Sequence, residues 1–211
     1  MRPEHRWPIA CLATATLVTA VTRLGARDPG TWWMEIAPTL LVVPLLALTL
    51  PRLRLTPLVY GAIAVHAAIL AVGGHYTYAQ VPAGFWLRDA LGLARNHYDR
   101  LGHLAQGFVP ALVARELLLR TSPLRRGRWL FALVTLSCLG ISAAYELVEW
   151  GAAEALGQGA DAFLGSQGDP WDTQWDMAMA LIGALTAQLA LGRLHDRQIA
   201  QVAAAMAPAG R

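Results

Sequence analysis

Six stretches of this sequence stay apolar over roughly the 20 residues an α-helix needs to cross a hydrocarbon core about 30 Å thick. They cover residues 8–24, 31–50, 56–73, 100–119, 129–150 and 175–193. Each run is continuous and rich in Ala and Leu, without the period-two alternation of a membrane-spanning strand, so the chain is expected to form helices and not a barrel. Composition agrees: 55% of the 211 residues are hydrophobic, 15% are charged and the mean hydropathy is +0.40, which leaves apolar surface for lipid to cover. Arg2 and Arg6 precede the first run as they would in a signal peptide, but no small-x-small cleavage site follows before Arg23 and Arg27, so the run is read as a retained helix. The expected fold is an all-α integral membrane protein, residues 1–211 forming a single polytopic bundle of about six transmembrane helices. Its expected partner is the lipid bilayer.

A pI near 9.2 would suggest nucleic acid in a soluble protein, but here the arginines report topology and no nucleic-acid partner is expected. With the amino terminus in the cytoplasm, the inner segments hold Arg2, Arg6, Arg52, Arg54, Arg120, Arg125, Arg126, Arg128, Arg193, Arg197 and Arg211. The outer ones hold only Arg23, Arg27, Arg88, Arg95 and Arg100. Both termini are therefore expected to be cytoplasmic. Tryptophans at headgroup depth give a second marker: Trp7 and Trp129 at inner helix ends, Trp32, Trp33, Trp150 and Trp175 at outer ends. Trp86, Leu87, Ala90, Leu91 and Ala94 share a face over 84–95, as in a short helix lying on the outer surface. Small residues at spacing four, Ala180–Ala184 and Gly140–Ala144, suit close helix packing.

Three polar segments fall at the outer ends of the last three runs: Arg95 to His103, Tyr145 to Trp150, and Gly168 to Asp176. Asp99 and His103 are four apart and share a helix face that Gln106 continues; Glu146 and Glu149 are three apart, with Ser142 on the same stripe. Asp172 and Asp176 join on one face if their helix begins early. Residues 146–176 carry Glu146, Glu149, Glu154, Asp161, Asp169, Asp172 and Asp176 without one basic residue, and like charges that converge raise one another's pKa or recruit a cation. The candidate pocket is Asp99, His103, Glu146, Glu149, Asp172 and Asp176, supported by Arg95, Asn96, His97, Arg100 and Asp169. Its donor types suit a divalent metal held by Asp99, His103, Glu146 and Asp176, general acid–base work without a metal, or an ion-pair network that only fixes helix register. His66, in the third run, is either part of a polar path or a buried imidazole bonded to backbone or hydroxyl. Glu35 is placed to join the cluster, Arg115 and Glu116 to snorkel or pair locally, and His75 to Tyr78 to lie in an interfacial loop.

Cys11 and Cys138 have no partner at disulfide or zinc spacing. Phosphate-loop, nucleophile-elbow, His-Glu-x-x-His and Rossmann motifs are absent.

The strings Arg95-Asn96-His97-Tyr98-Asp99-Arg100-Leu101-Gly102-His103, Tyr145-Glu146-Leu147-Val148-Glu149-Trp150 and Gly168-Asp169-Pro170-Trp171-Asp172-Thr173-Gln174-Trp175-Asp176-Met177 resemble the YjdF family of bacterial inner-membrane proteins. The resemblance covers nearly the whole chain. It implies a multi-pass protein of the inner, cytoplasmic membrane and no particular reaction. More distantly, the order of Asp99, Arg100, His103, Glu146, Asp176 and Gly183 is similar to VanZ-like proteins, though Glu149, Ala180 and the Arg-free last loop depart from that pattern. The expected function is an outward-facing acidic and His pocket that binds a metal or acts on an envelope or lipid-linked substrate. A cation transporter and a non-catalytic membrane partner remain alternatives.

Overall fold

In the computed structural model, residues 3–156 and 166–206 are described; Asp161 lies outside them. The described chain is helical, without strands. Its α-helices are α1 (Arg6–Arg23), α2 (Pro29–Thr49), α3 (Pro57–Tyr76), α4 (Pro82–Leu91), α5 (Tyr98–Thr121), α6 (Arg128–Leu156) and α7 (Asp172–Met206). Four of them, α2, α3, α6 and α7, are long and apolar enough to cross a membrane. The six long helices start and stop on local signals. Asp28 caps α2, its carboxylate accepting from the Thr31 N–H at 2.6 Å, and Thr56 caps α3; both helices begin with Pro, whose missing N–H costs nothing there. The short helix α4 ends at Leu91, earlier than its sequence pattern suggests, because Gly92 takes the left-handed conformation (φ 64°) and closes it. Trp86, Leu87 and Leu91 remain exposed on it.

The largest helix interface joins α5 and α7. They cross almost backbone to backbone: a Cβ on Gly107 would lie 1.8 Å from the Ala180 carbonyl oxygen, and one on Gly183 would lie 2.1 Å from that of Leu104. Such proximity is open only to glycine. Ala180 and Ala184 are fully buried beside the crossing, whereas Gly140 faces open space, so its pairing with Ala144 takes no part in packing. Around this axis α6 and α3 pack on α5, α1 packs on α3, and α2 closes against α1 and α3. The apolar core runs through Leu12, Val59, Tyr60, Leu112, Val134 and Ala187.

Seven exposed tryptophans and fourteen exposed leucines among the described residues would be anomalous in water but suit a lipid-facing surface. Trp32 differs from that pattern. It is 3% exposed, and its indole N–H donates to Thr22 at 3.3 Å, so it belongs to the core and not to an interfacial belt. Tyr78 also departs from its expected loop position. Held by positive φ at Thr77 and Tyr78, its ring occupies the space that side chains on Gly73 and Gly102 would fill.

The polar residues collect at two levels. Asp99 and Glu116 are separated by 17 residues of α5, and Asp176 and His195 by 19 residues of α7, or about 26 and 29 Å at ~1.5 Å per residue. That is one hydrocarbon thickness. At the lower level Glu116 is wholly buried and accepts from the Thr56 N–H (3.0 Å), the Thr56 hydroxyl (2.9 Å), Arg120 (2.8 Å) and His195 Nε2 (3.1 Å). One carboxylate thus ties the start of α3 to α5 and α7.

Replacing Gly183 by Val is expected to destabilise the fold by at least about 1–3 kcal/mol, because backbone must move, while Gly140→Ala should stay within about 0.5 kcal/mol of the parent. Thermal unfolding in detergent measures both.

Candidate functional site

Asn96 sets the entrance to α5. Its side-chain oxygen accepts from the Tyr98 N–H at 3.0 Å, its amide donates to Val81 O at 2.9 Å, and the group sits where a side chain on Gly84 would stand. Asn96 is the capping residue in practice, placing Asp99 in the first turn and His103 one turn on. Gln167 grips the Asn96 backbone from the approach to α7, donating to its carbonyl at 2.7 Å and accepting from its N–H at 3.2 Å.

The acidic residues named from sequence divide into two sets. Asp169 and Asp172 are neutralised. Arg95 contacts Asp172 at 2.6 Å and Asp169 at 3.1 Å and donates to the Ser166 carbonyl; Arg100 contacts Asp169 at 3.1 Å and lies over the Trp175 ring. These groups form a latch across the mouth of the bundle. Helix α7 begins at Asp172, so Asp172 and Asp176 do share a face. Burial, then Arg100 and Arg95 beside it, hold the His97 imidazole below the usual histidine range.

The second set lies beneath the latch. His103 Nε2 is 3.6 Å from Asp99 Oδ1 and its Nδ1 is 3.8 Å from Glu146 Oε1. One atom each from Asp99, His103 and Asp176 lie within 4.8 Å of one another. His103 Nδ1 meets Gln106 Oε1 at 3.0 Å; with that oxygen accepting, the proton sits on Nδ1 and Nε2 presents its lone pair to the carboxylates. Asp176 is 2% exposed and Glu146 8%, yet Asp176 Oδ1 and Glu146 Oε1 have no hydrogen-bond partner among the described residues, nor has the buried Ser142 hydroxyl. Leaving such atoms unpaired is costly.

A cavity of about 510 Å³ opens beside this cluster, with Glu35, Asp99, His103, Tyr145 and Glu149 at its polar end. The Tyr145 hydroxyl donates to Glu35 at 3.4 Å. Deeper, the walls are apolar: Val42, Ile63, Val109, Val113 and Leu117. His66 lines the cavity with Nε2 unpartnered among the described residues, contrary to a bonded buried imidazole. Glu35 and Gln106 belong to the site more closely than Asp172, and Tyr78, a further wall residue, carries no sequence signal beyond the glycines that make room for it.

The family described as "Predicted membrane protein (DUF2238)" matches residues 6–197. The chain belongs to this family. It is 55% identical over 186 residues to "Inner membrane protein YjdF" of Escherichia coli (strain K12), which covers 88% of this chain and 89% of that relative. No solved structure matches the chain. The YjdF resemblance is thereby established and the protein is a multi-pass inner-membrane protein; the VanZ-like one remains a likeness of motif order.

The latch supplies a stability test. Arg95→Gln leaves Asp172 unpaired and is expected to cost about 2 kcal/mol, whereas Arg88→Gln, which breaks the surface Arg88–Asp89 pair and the contact of Arg88 with the Phe85 ring, should cost under about 1 kcal/mol. Paired thermal melts check the contrast.

Proposed function

We propose that this inner-membrane protein holds a divalent cation with Asp99, His103, Glu146 and Asp176 and presents it to a lipid-linked or envelope substrate whose hydrocarbon portion enters the adjoining cavity. The observation that carries the reading is the convergence of Asp99, His103 and Asp176 within 4.8 Å, beside buried carboxylate oxygens that have no hydrogen-bond partner among the described residues. Ligand atoms about 2.0–2.2 Å from a tetrahedral zinc ion stand about 3.3–3.6 Å apart, so the trio would draw together by up to about 1.5 Å around the ion. Carboxylates with one imidazole suit a first-row divalent ion, and Gln106 would orient His103 as an outer-shell partner. The cation would polarise a substrate oxygen or activate water. Glu149 and Glu35, at the mouth of the cavity, are the carboxyl groups within reach for proton transfer there.

In this reading the six long helices all span the bilayer, both termini are cytoplasmic and the cluster faces outward. The separation of the polar levels by one hydrocarbon thickness supports it, as does the concentration of Arg at the Glu116 level. A conduction path is less well supported. Between His66 and the Glu116 level the cavity is walled by Val109, Pro110, Val113, Ala114 and Leu117, whereas a path for cations needs polar groups through the midplane.

Elemental analysis of the detergent-purified protein tests the proposal. Near-stoichiometric divalent metal is expected in the parent, lost in Asp176→Asn and in the Asp99→Ala, His103→Ala double variant, with monodispersity retained. Acidification should release the metal, because its ligands must be deprotonated. A metal-free parent that added Mn²⁺ or Zn²⁺ fails to stabilise, with strongly destabilised variants, would reduce the cluster to a structural network.

A further inference from the structure

At the opposite level a second, smaller cavity of about 170 Å³ lies between α5, α6 and α7, lined by Arg115, Arg126, Gly127, Leu130, Phe131 and Gln188. Arg115 is 7% exposed. Its Nη2 donates to Asp196 at 2.6 Å, but Nη1 is buried without a partner among the described residues. Arg126 reaches the same Asp196 oxygen at 3.2 Å and is otherwise open to solvent. Two guanidiniums thus share one carboxylate, leaving one positive charge unbalanced.

Helix α6 adds to that charge. Gly127 accepts the first intrahelical bond, from the Phe131 N–H at 3.1 Å, and has no side chain with which to cap the preceding N–H groups. The first turn of a helix leaves N–H groups free and carries a partial positive charge, which favours an anion. A buried unpaired guanidinium N–H beside an uncapped helix start is an incomplete hydrogen-bonding set that a tetrahedral oxyanion completes. Guanidinium matches phosphate with two parallel hydrogen bonds.

We infer that this notch binds the phosphate of an anionic ligand, a phospholipid headgroup or a free phosphate, through Arg115, Arg126 and the start of α6. The site is distinct from the Asp99 cluster and does not rest on the metal reading. It also differs from general attraction of arginines to an anionic leaflet, which any exposed Arg would supply.

Native mass spectrometry of the full-length chain, released from detergent with phosphatidylglycerol or phosphatidylcholine, separates these cases. Phosphatidylglycerol should be retained preferentially, and Arg126→Gln should weaken its retention about fivefold, the share of one cation near a membrane surface. Arg125→Gln removes a neighbour that is also exposed but does not line the notch and should leave retention unchanged. Arg115→Gln should abolish the preference; because Arg126 is exposed, its variant keeps the test valid should the Arg115 variant misfold. Competition by inorganic phosphate would assign the site to the free anion as well, and its absence would assign it to the headgroup. Equal retention of the two lipids without any effect of phosphate, or an equal loss in the Arg125 and Arg126 variants, overturns the proposal.

Discussion

The contact of α5 with α7 at Gly107 and Gly183 governs the arrangement of everything polar in this protein. Backbone meets backbone there with no side chain between, so the two helices have little freedom to slide. His103 lies one turn from Gly107 on α5, and Asp176 two turns from Gly183 on α7; the crossing therefore brings imidazole and carboxylate together above it. Below it, the same two helices bring Glu116 to His195. Small side chains at a helix interface inside a bilayer allow dispersion and hydrogen bonding to act at short range, where no hydrophobic driving force is available.

Much of this was legible in the sequence, for reasons that differ from element to element. Apolar run length marks helices because the bilayer demands it, and α2, α3, α6 and α7 are long, apolar helices where such runs occur. Asp99 and His103 fall on one face because helical periodicity fixes residues four apart. Tertiary pairing leaves weaker traces. Nothing in the string 169–176 says that Asp169 and Asp172 are matched with Arg95 and Arg100 while Asp176 is not; that depends on where the segment before α7 crosses the entrance to α5. Glu116 looked like a residue that pairs locally, yet it also caps a helix 60 residues away. Its importance follows from burial, which periodicity alone does not give. Gly84, Gly73 and Gly102 were visible as glycines, but the Asn96 amide and the Tyr78 ring that require them were not.

The two polar levels are built on opposite plans. Above, the acids outnumber the cations that reach them, and the arginines are spent on the outermost pair. Below, Glu116 is satisfied on every side, and the surplus is a guanidinium. A buried polar atom without a hydrogen-bond partner is costly, so each level is incomplete in a definite sense: one leaves carboxylate oxygens without a donor, the other a guanidinium N–H without an acceptor, among the described residues. The apolar band between them, walled by Val109, Val113 and Leu117 on the cavity side, keeps the two surpluses from neutralising each other.

Helix α7 runs unbroken for 35 residues without a proline, about 50 Å at ~1.5 Å per residue. It is therefore a long rod, anchored about a third of the way along by the glycine crossing, with Asp176 on the short arm and His195 and Asp196 on the long one. A rod held at a pivot cannot tilt at one end alone. A rigid-body tilt of α7 about that crossing would therefore carry Asp176 and Asp196 in opposite directions.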